Sequence, residues 1–494
     1  MSRSSRTRET WPLAGVLLLA AVLRLANLEA RGFWRDEAVT IELLRLPLAE
    51  LLRTIPESEG TPPLYYMLAW FWTRIVGDGE VGARSFSALV GIVAVAVVYL
   101  AARELSGRRA ALVASLLAAA SPLLVWHAQD ARAYSLLVLL SSTSFLFFAR
   151  LLRAPSRGNA FAWAVSSGVA LLTHYFAVFL LAPQAAWLLL ARRTRRAALA
   201  PVTSVLLVGL SLVPIALAQR TNVDWISHVP LRRRIFEVAG EFLVGPQPPR
   251  ERTSIAITGA LVLVALGLLA FLSRPAERRA VAPAAVVGGA ALVLPLLLVP
   301  AGFDYVLARN LIVALPALMI VAATGLALSH ISRIGAVIAG TLAVIGVVVV
   351  VWSAEDPKFG AEDWRGAAVA LGPPPDGGRA IVLWPRVGVR PFVLYRPSAQ
   401  FMAAVGAPVS EIVFVALGSE HRLTVERYGG ALYPPTPPFG VTSDHSAPYF
   451  TIVHLQANRR VFVTPRQLAA TAATAPQAAV LLEEPTQRPP ARRR

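Results

Sequence analysis

Two adjacent carboxylates, Asp36 and Glu37, stand in the segment FWRDEA, just after the first strongly apolar stretch of the chain. Neighbouring residues on a helix point about 100° apart, so the two carboxylates are predicted to have different roles. One could act as a general base, because a carboxylate beside low-dielectric lipid takes up a proton more readily. The other could hold the end of a helix or a divalent ion. From spacing alone, an Asp36 that only caps a helix starting at Ala38 is an equally good interpretation.

A second polar cluster, HAQDARAYS, follows Trp126 at the end of another apolar stretch. Arg132 in this cluster could bind a phosphate through two parallel hydrogen bonds. Gln129, Asp130 and Tyr134 could hydrogen-bond a sugar or an acceptor. The alternative is a simple cap at the membrane interface, in which Arg132 pairs with Asp130.

Further polar residues occur inside apolar stretches or at their edges. His174 and Tyr175 lie within one such stretch, and a buried intramembrane histidine is a candidate functional residue, although a structural histidine is at least as common. Arg84 and Arg309 each open an apolar segment, where an arginine can also extend its charge toward water. Tyr65 belongs to the aromatic segment PPLYYMLAWFWTRIVG and, like His174 and Tyr175, could contact the sugar or the acceptor.

The composition indicates that most of the chain lies in lipid. Of its 494 residues, 56% are hydrophobic and 15% are charged, whereas about a quarter of an ordinary soluble domain is charged. Mean hydropathy is +0.58. The net charge of +18 comes from arginines in short clusters between apolar stretches, so we expect no nucleic-acid partner. The chain has no cysteine, which excludes disulfides and thiolate metal sites.

Eleven apolar segments are candidate membrane spans, each of which needs about 20 residues. They lie near 12–29, 83–103, 110–126, 133–150, 159–175, 176–191, 198–219, 253–273, 280–300, 309–328 and 333–352. The first could be a signal peptide, but Arg24 and Asn27 interrupt any cleavage site of small residues. Residues 62–77 are short and aromatic, which favours an interfacial or re-entrant helix. We therefore predict about 11 spans, with 12 or 13 as the alternatives if residues 62–77 cross or 159–191 divide differently.

Short arginine clusters set the expected orientation. The clusters are Arg103, Arg108 and Arg109; Arg150, Arg153 and Arg157; Arg192, Arg193, Arg195 and Arg196; Arg274, Arg278 and Arg279; and Arg333. Arginine-rich loops stay in the cytoplasm, so the N-terminus is expected there too. The loops 30–82, 127–132, 220–252 and 301–308, and everything after about 353, are then expected on the outer face of a plasma or inner membrane.

The C-terminal part differs from the rest. Prolines and polar turns alternate with short apolar runs at Ala380–Trp384, Ile412–Ala416 and Tyr449–Leu455, a pattern typical of strands. The sequence predicts a polytopic α-helical membrane domain over 1–352, with its first outer loop at 30–82. A small extracytoplasmic α/β domain is predicted over 353–486, followed by a disordered tail at 487–494 rich in Pro and Arg.

Several motifs, in their order along the chain, resemble one known family. FWRDEA, TPPLYYMLAWFW, the segment ARSFSAL beginning at Ala83, SPLLVWHAQDARAYSL and DYVLARNLIVALPAL look like the family 39 glycosyltransferases with the GT-C fold. That family includes the dolichyl-phosphate-mannose protein mannosyltransferases and the lipid A aminoarabinose transferase. Glu362-Asp363-Trp364-Arg365 at the start of the C-terminal part is also similar, so the resemblance covers about residues 10–365.

The resemblance implies an enzyme that transfers a sugar from a polyprenyl-phosphate donor to an acceptor hydroxyl, with inversion. In the family an acidic residue of the first outer loop acts at the catalytic centre, a role that falls on Asp36 with Glu37 beside it. The aminoarabinose transferase has Glu-Lys before its Pro-Pro, where this chain has Gly60-Thr61. Without that lysine, Arg132, Arg84 or Arg309 has to supply the positive charge for the phosphate.

The remaining expectations are less specific. A divalent ion held by Asp36 or Glu37 is expected to be dispensable, so no obligatory cofactor is predicted. The sugar is left open, and the acceptor could be a protein, a glycolipid or a polysaccharide. The strong preference for arginine over lysine fits a G+C-rich bacterial genome. Two other functions stay open: a lipid or sugar transporter or flippase, and a non-catalytic protein of cell-envelope assembly.

Overall fold

The computed structural model describes residues 3–355, 362–417, 438–447, 449–471 and 478–484, so the predicted disordered tail at 487–494 lies outside the described residues. The chain divides into two compact units. The helical unit comprises Met1–Leu28 and Leu43–Ala354, and the sheet unit comprises Glu29–Glu42 and Glu355–Arg494. The observed boundary at 354 is close to the predicted one at 352. Residues 29–42, however, group with the sheet unit, whereas the sequence placed them in a loop of the membrane domain.

The helical unit is built from apolar α-helices joined by short turns. Its α-helices are Arg3–Leu25, Leu48–Ser58, Leu64–Val76, Glu80–Ala120, Pro122–Ala128, Tyr134–Arg153, Arg157–Thr173, Val178–Leu190, Arg195–Ser211, Val213–Ala218, Leu231–Val244, Glu251–Gly267, Pro275–Leu298, Ala308–Leu311, Leu315–Leu326 and Ser332–Glu355. Short 3₁₀ turns at Tyr175–Ala177, Arg220–His228, Val299–Ala301, Ile312–Ala314 and Ser329–Ile331 extend or connect them.

Among the described residues, seven helical segments are long and apolar enough to cross a membrane. These are Glu80–Ala120, Tyr134–Arg153, Arg195–Ala218, Glu251–Leu272, Pro275–Ala301, Ala308–Leu326 and Ser329–Glu355. Trp11–Leu25 and Tyr175–Leu190 are shorter apolar helices. Every one of the eleven predicted segments contains helix, so the prediction of a polytopic helical membrane protein is confirmed.

Two breaks explain how the predicted segments are joined. Gly107, with φ of +81°, interrupts the helix Glu80–Ala120, and this glycine lies within the basic linker predicted between two spans. The break at His174 is different, because this residue is extended and its Nδ1 accepts a hydrogen bond from the backbone N–H of Phe176 at 3.3 Å. The aromatic segment forms a helix, Leu64–Val76, of 13 residues. At 1.5 Å per residue it measures about 20 Å, which is short of the bilayer core.

The loops at the two ends of the helices make different contacts. At one end, Arg150 and Arg153 both pair with Glu104, at 3.1 and 2.6 Å. Arg193 donates to the carbonyl of Arg153 at 3.1 Å, so three of the predicted basic linkers lie together. At the other end the loops 43–82, 127–132 and 220–252 contact one another through side chains described below.

Arg24 connects the first helix to the end of Glu80–Ala120. Its guanidinium is buried and donates hydrogen bonds to the carbonyls of Ala118 and Ala119, both at 2.9 Å. These carbonyls belong to the last turn, where no intrahelical donor remains and the helix dipole is negative. A Cβ added at Gly91 would lie 3.3 Å from the Arg24 Nε. The same side chain thus touches both halves of the helix that breaks at Gly107.

Replacing Arg24 with methionine is expected to destabilise the helical unit. The substitution leaves two buried carbonyls without donors, at a cost of about 1–3 kcal/mol each, and the melting temperature in detergent should fall by roughly 5 °C or more. Arg109→Met is the matched control, because Arg109 is exposed. Thermal unfolding followed by tryptophan fluorescence measures the difference, and equal melting temperatures for the two variants would contradict this role of Arg24.

The sheet unit contains a six-stranded mixed sheet. Its strands are β1 Arg379–Trp384, β2 Ala399–Phe401, β3 Ala407–Leu417, β4 Gly440–Ser446, β5 Phe450–Val463 and β6 Ala479–Glu483, in the order β2-β6-β1-β3-β5-β4. The described α-helices of this unit are Trp364–Ala370, Val389–Tyr395, Pro465–Thr471 and most of Arg35–Arg45. Among the described strands, β1 and β3 form the parallel pair, and the helix Val389–Tyr395 lies in the crossover that this pairing requires. The predicted small α/β domain, including its three strand segments, is confirmed.

Both faces of the sheet are covered. Ile381 and Leu383 of β1 pack against one apolar cluster with Trp364, whereas Ala380 and Val382 pack into another on the opposite face. This is the period of two expected for a strand. A central strand buried on both sides explains why Ala380–Trp384 is continuously apolar.

A buried network of charges crosses the same sheet. Arg379 pairs with Glu411 on β3 and, at 3.4 Å, with Glu483 on β6. Glu483 also pairs with Arg396 at 2.7 Å, and the ring Nδ1 of His454 lies 2.8 Å from Glu411. Burial alone would raise the pKa of Glu411, but the hydrogen bonds from His454 and Arg379 hold this pKa below its ordinary value. The pairs fix neighbouring strands to one another.

Candidate active site

The carboxylates of FWRDEA lie in the first turn of the helix Arg35–Arg45. Glu37 is fully buried, and its Oε2 accepts a hydrogen bond from the backbone N–H of Trp34 at 3.4 Å. The Asp36 side chain keeps 22% of its surface exposed, and its Oδ1 lies 3.5 Å from Nε of Arg35. Because the helix begins at Arg35, the interpretation of Asp36 as the cap of a helix starting at Ala38 is wrong. Glu37 holds the helix start, and Asp36 is the more accessible carboxylate.

The backbone just before this helix is fixed by residues of the sheet unit. The N–H of Phe33 donates to the Tyr395 hydroxyl at 2.6 Å, and the two rings stack at 6.4 Å. The N–H of Arg35 donates to Oε2 of Glu362 at 3.1 Å. The first acidic residue of EDWR therefore positions the helix that carries Asp36 and Glu37.

In the helical unit, Arg132 forms a two-pronged ion pair with Glu59. The distances are 2.7 Å from Nη1 to Oε1 and 2.9 Å from Nη2 to Oε2, and both side chains are buried. Planar pairing of this kind fixes the orientation of a guanidinium as well as its position. Burial makes the pair costly to break, because the remaining charge would have no partner of opposite sign.

The backbone of Arg132 is held by a second chain of contacts. The Ser87 hydroxyl donates to the Arg132 carbonyl at 3.3 Å and lies 3.4 Å from the hydroxyl of Tyr65. Tyr65, predicted to contact sugar or acceptor, is buried. In the structure it supports the turn that carries Arg132.

The other two predicted phosphate-binding arginines lie in different surroundings. Arg84 is fully buried and donates to the carbonyl of Leu28 at 2.6 Å, which ties the end of the first helix to the helix Glu80–Ala120. Arg309 is partly exposed, and its guanidinium lies 5.5 Å from the ring centre of Trp225. Arg309 and Arg132 are both close enough to His174 to act on it electrostatically. The structure thus brings Arg132, Arg309 and His174 to one region, whereas Arg84 serves an anchoring contact.

Histidines and aromatic rings form a continuous row beside Arg132. Ring centres are separated by 4.6 Å between His127 and Tyr134 and by 5.8 Å between Tyr134 and His174. The row continues to Phe176 at 4.9 Å and then to Tyr305 at 5.3 Å. His174 accepts the Phe176 N–H through Nδ1, so its ring proton is placed on Nε2. An aromatic row at the ends of membrane helices can pack against the flat face of a sugar.

Gln129 and Tyr175 use their polar atoms within the protein. The Gln129 amide donates to the carbonyls of Leu23 and Ala26, both at 2.9 Å, and so caps the first helix. The hydroxyl of Tyr175 donates to Oε1 of Gln219 at 2.7 Å. Their predicted contact with a sugar or an acceptor remains a prediction.

Asp130 is fully buried, and its Oδ2 lies 3.3 Å from Nδ1 of His127. Its predicted role in binding the sugar or acceptor stays a prediction as well. Among the described residues, no three His, Asp or Glu side chains converge as a metal site would require. Asp36 and Glu37 remain the predicted candidates for holding a divalent ion.

A second ion pair joins the buried Arg234 to the partly exposed Asp304. Arg234 donates to both carboxylate oxygens of Asp304, at 2.6 and 2.5 Å, which holds the pKa of Asp304 below its ordinary value. The pKa of Glu241, on the same helix as Arg234, is shifted in the opposite direction. Burial, together with the negative charge of Glu237, raises its pKa to about 7 despite the opposing charge of Arg309.

The raised pKa of Glu241 predicts a stability that depends on pH. In the unfolded chain this carboxyl ionises near its ordinary value of 4.5, but in the folded protein it ionises near 7. The folded state therefore holds the extra proton, and its stability falls as pH rises through this window. Glu241→Gln is expected to remove that fall, which melting curves between pH 4.5 and 8.5 would reveal. The exposed Glu57→Gln is the control, and parallel curves for wild type and Glu241→Gln would contradict the assignment.

The sequence pointed to Arg132 but not to its partner. Glu59 stands directly before Gly60-Thr61, and neither its type nor its position in the sequence singles it out as the partner of Arg132. Arg234 and Asp304 were also missed. The available signal was that each is a charged residue in a predicted outer loop beside an apolar segment.

Taken together, these features define a class: a polytopic membrane protein of the GT-C fold, with loops rich in arginine and carboxylate side chains at one end of its helices. Residues 60–218, about a third of the chain, match the model of the dolichyl-phosphate-mannose-protein mannosyltransferase family. The matched segment includes Arg84, Arg132 and His174. No curated protein sequence matches the chain significantly.

Solved structures extend the similarity to most of the chain. Apo ArnT from Cupriavidus metallidurans is 15% identical with a TM-score of 0.56, and the match covers 91% of this chain and 98% of that one. ArnT from the same organism bound to undecaprenyl phosphate is 16% identical with a TM-score of 0.54, and the match covers 90% of this chain and 98% of that one. A third similar structure is the archaeal oligosaccharyltransferase AglB from Archaeoglobus fulgidus, in complex with an inhibitory peptide and a dolichol-phosphate. It is 12% identical with a TM-score of 0.51, and the match covers 95% of this chain and 78% of that one. The predicted GT-C fold is confirmed.

Proposed function

We propose that the chain is a membrane glycosyltransferase that moves a sugar from a polyprenyl-phosphate donor to an acceptor hydroxyl. The observation that carries the proposal is Arg132, a buried and rigidly oriented guanidinium where the loops meet at one end of the helices. A guanidinium carries five N–H donors and a permanent positive charge, which suits it to bind a lipid phosphate as well as the Glu59 carboxylate. ArnT, which shares the fold, has been solved with undecaprenyl phosphate, and AglB with a dolichol-phosphate. These two complexes support a lipid phosphate as ligand of this chain.

In the proposed reaction, Asp36 accepts the proton of the acceptor hydroxyl. The hydroxyl oxygen attacks the anomeric carbon, and the bond from that carbon to the phosphate oxygen breaks with its electron pair on the phosphate. The products are the glycosylated acceptor, with inverted anomeric configuration, and polyprenyl phosphate. The accessibility of Asp36, in contrast to the buried Glu37 beside it, supports the first as the base. Glu37 supports the reaction by fixing the start of the helix.

Positive charge stabilises the departing phosphate. Arg132 is the main phosphate ligand in this proposal, with Arg309 nearby and Arg84 in a supporting position. Preorganised cations are effective because they need little rearrangement as the charge develops. Glu59 orients Arg132 and also balances its charge, so that a buried cation is tolerated before the lipid phosphate arrives.

The sugar and the acceptor are assigned by the chemistry of the remaining side chains. Tyr134 and His174, which share the aromatic row, are proposed to contact the sugar ring, with Asp130 and Gln129 beside them. The acceptor is a protein, a glycolipid or a polysaccharide. We propose that the reaction and the sheet unit face the outside of a bacterial plasma or inner membrane, because arginine-rich loops favour the cytoplasm.

The test follows the donor and its products in proteoliposomes that contain the purified protein and radiolabelled undecaprenyl-phosphate sugars. A transferase converts the donor and places the label on a new molecule, with polyprenyl phosphate as the second product. A flippase would move the donor between leaflets without changing it, and an assembly protein would leave it untouched. Unchanged donor with every sugar and with protein, glycolipid and polysaccharide acceptors would overturn the proposal.

A further inference from the structure

The segment that carries Glu59 depends on donors from elsewhere in the chain. We call residues 55–61 the Glu59 segment. It starts in the last turn of the helix Leu48–Ser58, where backbone carbonyls lose their intrahelical donors, and ends just before Pro62 and Pro63. Neither proline has a backbone N–H to offer. Within the segment the Ile55 carbonyl accepts the N–H of Glu59 at 3.0 Å, but the two prolines offer no N–H to the carbonyls nearer its end.

Gln219 supplies two of the donors that come from elsewhere in the chain. Its Nε2 lies 3.0 Å from the carbonyl oxygen of Thr61 and 3.4 Å from that of Ile55, so one amide bridges the two ends of the Glu59 segment. The amide is buried. Its oxygen accepts the hydroxyl proton of Tyr175 at 2.7 Å, which leaves the nitrogen turned toward the segment.

Asn222 supplies the other two donors. Its Nδ2 lies 2.8 Å from the carbonyl oxygen of Glu59 and 3.4 Å from that of Pro56. Glu59 is thus held at both ends: its backbone by Asn222 and its carboxylate by Arg132, at 2.7 and 2.9 Å. Moving the backbone of Glu59 would shift the carboxylate that sets the plane of the guanidinium.

These contacts form a clamp on the Glu59 segment. We propose that Gln219 and Asn222 are positioning residues, which fix the Glu59 segment and through it the orientation of Arg132, and that Tyr175 sets the amide of Gln219 for this purpose. The part of the proposal that concerns turnover rests on the proposed function. Tyr175 then acts through Gln219 rather than on the sugar.

The clamp is attached to a helix with few protein neighbours. Gln219 directly follows the apolar stretch Arg195–Ala218, in which only 11% of the most apolar window is buried inside the protein. Most of this helix therefore faces lipid. A displacement of this helix would move Gln219 and Asn222, and through Glu59 it would change the orientation of Arg132.

The lack of cysteine in the chain allows a direct test of the clamp. A spin label on Glu57→Cys, an exposed position inside the Glu59 segment, reports local motion of the full-length protein in nanodiscs. Gln219→Ala and Asn222→Ala are expected to sharpen the spectrum through faster motion, and Tyr175→Phe to do so partially. Asn159→Ala is the matched control, because its amide also donates to a backbone carbonyl, that of Ala154 at 3.3 Å. If the spin label moves as slowly in Gln219→Ala and in Asn222→Ala as it does in the wild type, the proposed clamp is wrong.

Kinetics separate positioning from simple loss of folding. Gln219→Ala is expected to lower kcat/KM per folded molecule about tenfold, while its melting temperature, compared with that of Asn159→Ala, measures the accompanying loss of stability. In a Glu59→Gln background the same change should have a much smaller effect, because the two residues act through one route. Full additivity would overturn the coupling. If the wild type itself fails to transfer sugar, the proposed function falls, and the spin-label result alone decides the clamp.

Discussion

Replacing Asp36 with asparagine is expected to lower the rate of sugar transfer by about 10²–10⁴-fold, the usual contribution of a positioned general base. Asparagine keeps the size and polarity of the side chain but cannot accept the proton of the acceptor hydroxyl. Binding of polyprenyl phosphate should change little, because the affinity for this product is assigned to Arg132. The measurement is the initial rate of labelled sugar transfer by purified protein, alongside the affinity for undecaprenyl phosphate.

A control on the same helix isolates the chemistry of Asp36. Glu42 is exposed, and its Oε2 lies 3.7 Å from Nη1 of Arg390. Glu42→Gln also removes one negative charge from the helix Arg35–Arg45, so it is expected to leave transfer unchanged. A full rate for Asp36→Asn, or an equal loss in the two variants, would contradict the role of Asp36 as base.

Replacing Arg132 with methionine is expected to have two separable effects. Transfer and the affinity for polyprenyl phosphate should fall by about 10²–10³-fold, because one preorganised cation of the phosphate site is lost. Stability should fall by about 3–5 kcal/mol, because the buried carboxylate of Glu59 loses its partner. Rates per folded molecule and denaturant unfolding measure the two effects independently.

The double variant Arg132→Met with Glu59→Gln distinguishes the two effects. Neutralising Glu59 removes the uncompensated buried charge, so most of the lost stability should return while transfer stays low. The pair Arg234 and Asp304 is the matched control, since it is also two-pronged and its arginine is also buried. Arg234→Met with Asp304→Asn should lower stability without a specific loss of phosphate affinity. Transfer that recovers together with stability in the Arg132 double variant would show that Arg132 is only structural.

The sequence was sufficient to predict the helical architecture, because membrane helices depend on local properties. About 20 apolar residues in a row and arginine clusters between them are visible without knowledge of contacts. The same holds for the change of direction at Gly107, which falls within the linker between two apolar stretches. The strand Ala380–Trp384 was predictable for a similar reason, because a strand buried on both faces is continuously apolar.

The partners of the polar residues could not be predicted in this way. Arg132 and Glu59 are 73 residues apart, and nothing local distinguishes Glu59 from Glu57, which is exposed. Gln219 is the last residue of a predicted span, and Asn222 lies in the predicted loop that follows it. Only the fold shows that these two ordinary amides donate to the Glu59 segment. The grouping of residues 29–42 with the sheet unit also depends on long-range contacts, such as that of Phe33 with Tyr395.

The most direct test of the account is to measure the release of polyprenyl phosphate during single-turnover transfer by the wild type and by Asp36→Asn. The protein is purified in nanodiscs and given each of a panel of undecaprenyl-phosphate sugars with each class of acceptor. We predict that the wild type releases one polyprenyl phosphate for each sugar transferred with at least one donor, and that Asp36→Asn releases almost none. Transfer by both proteins at the same rate, or no release by either with any donor and acceptor, would contradict the proposed function or its catalytic residue.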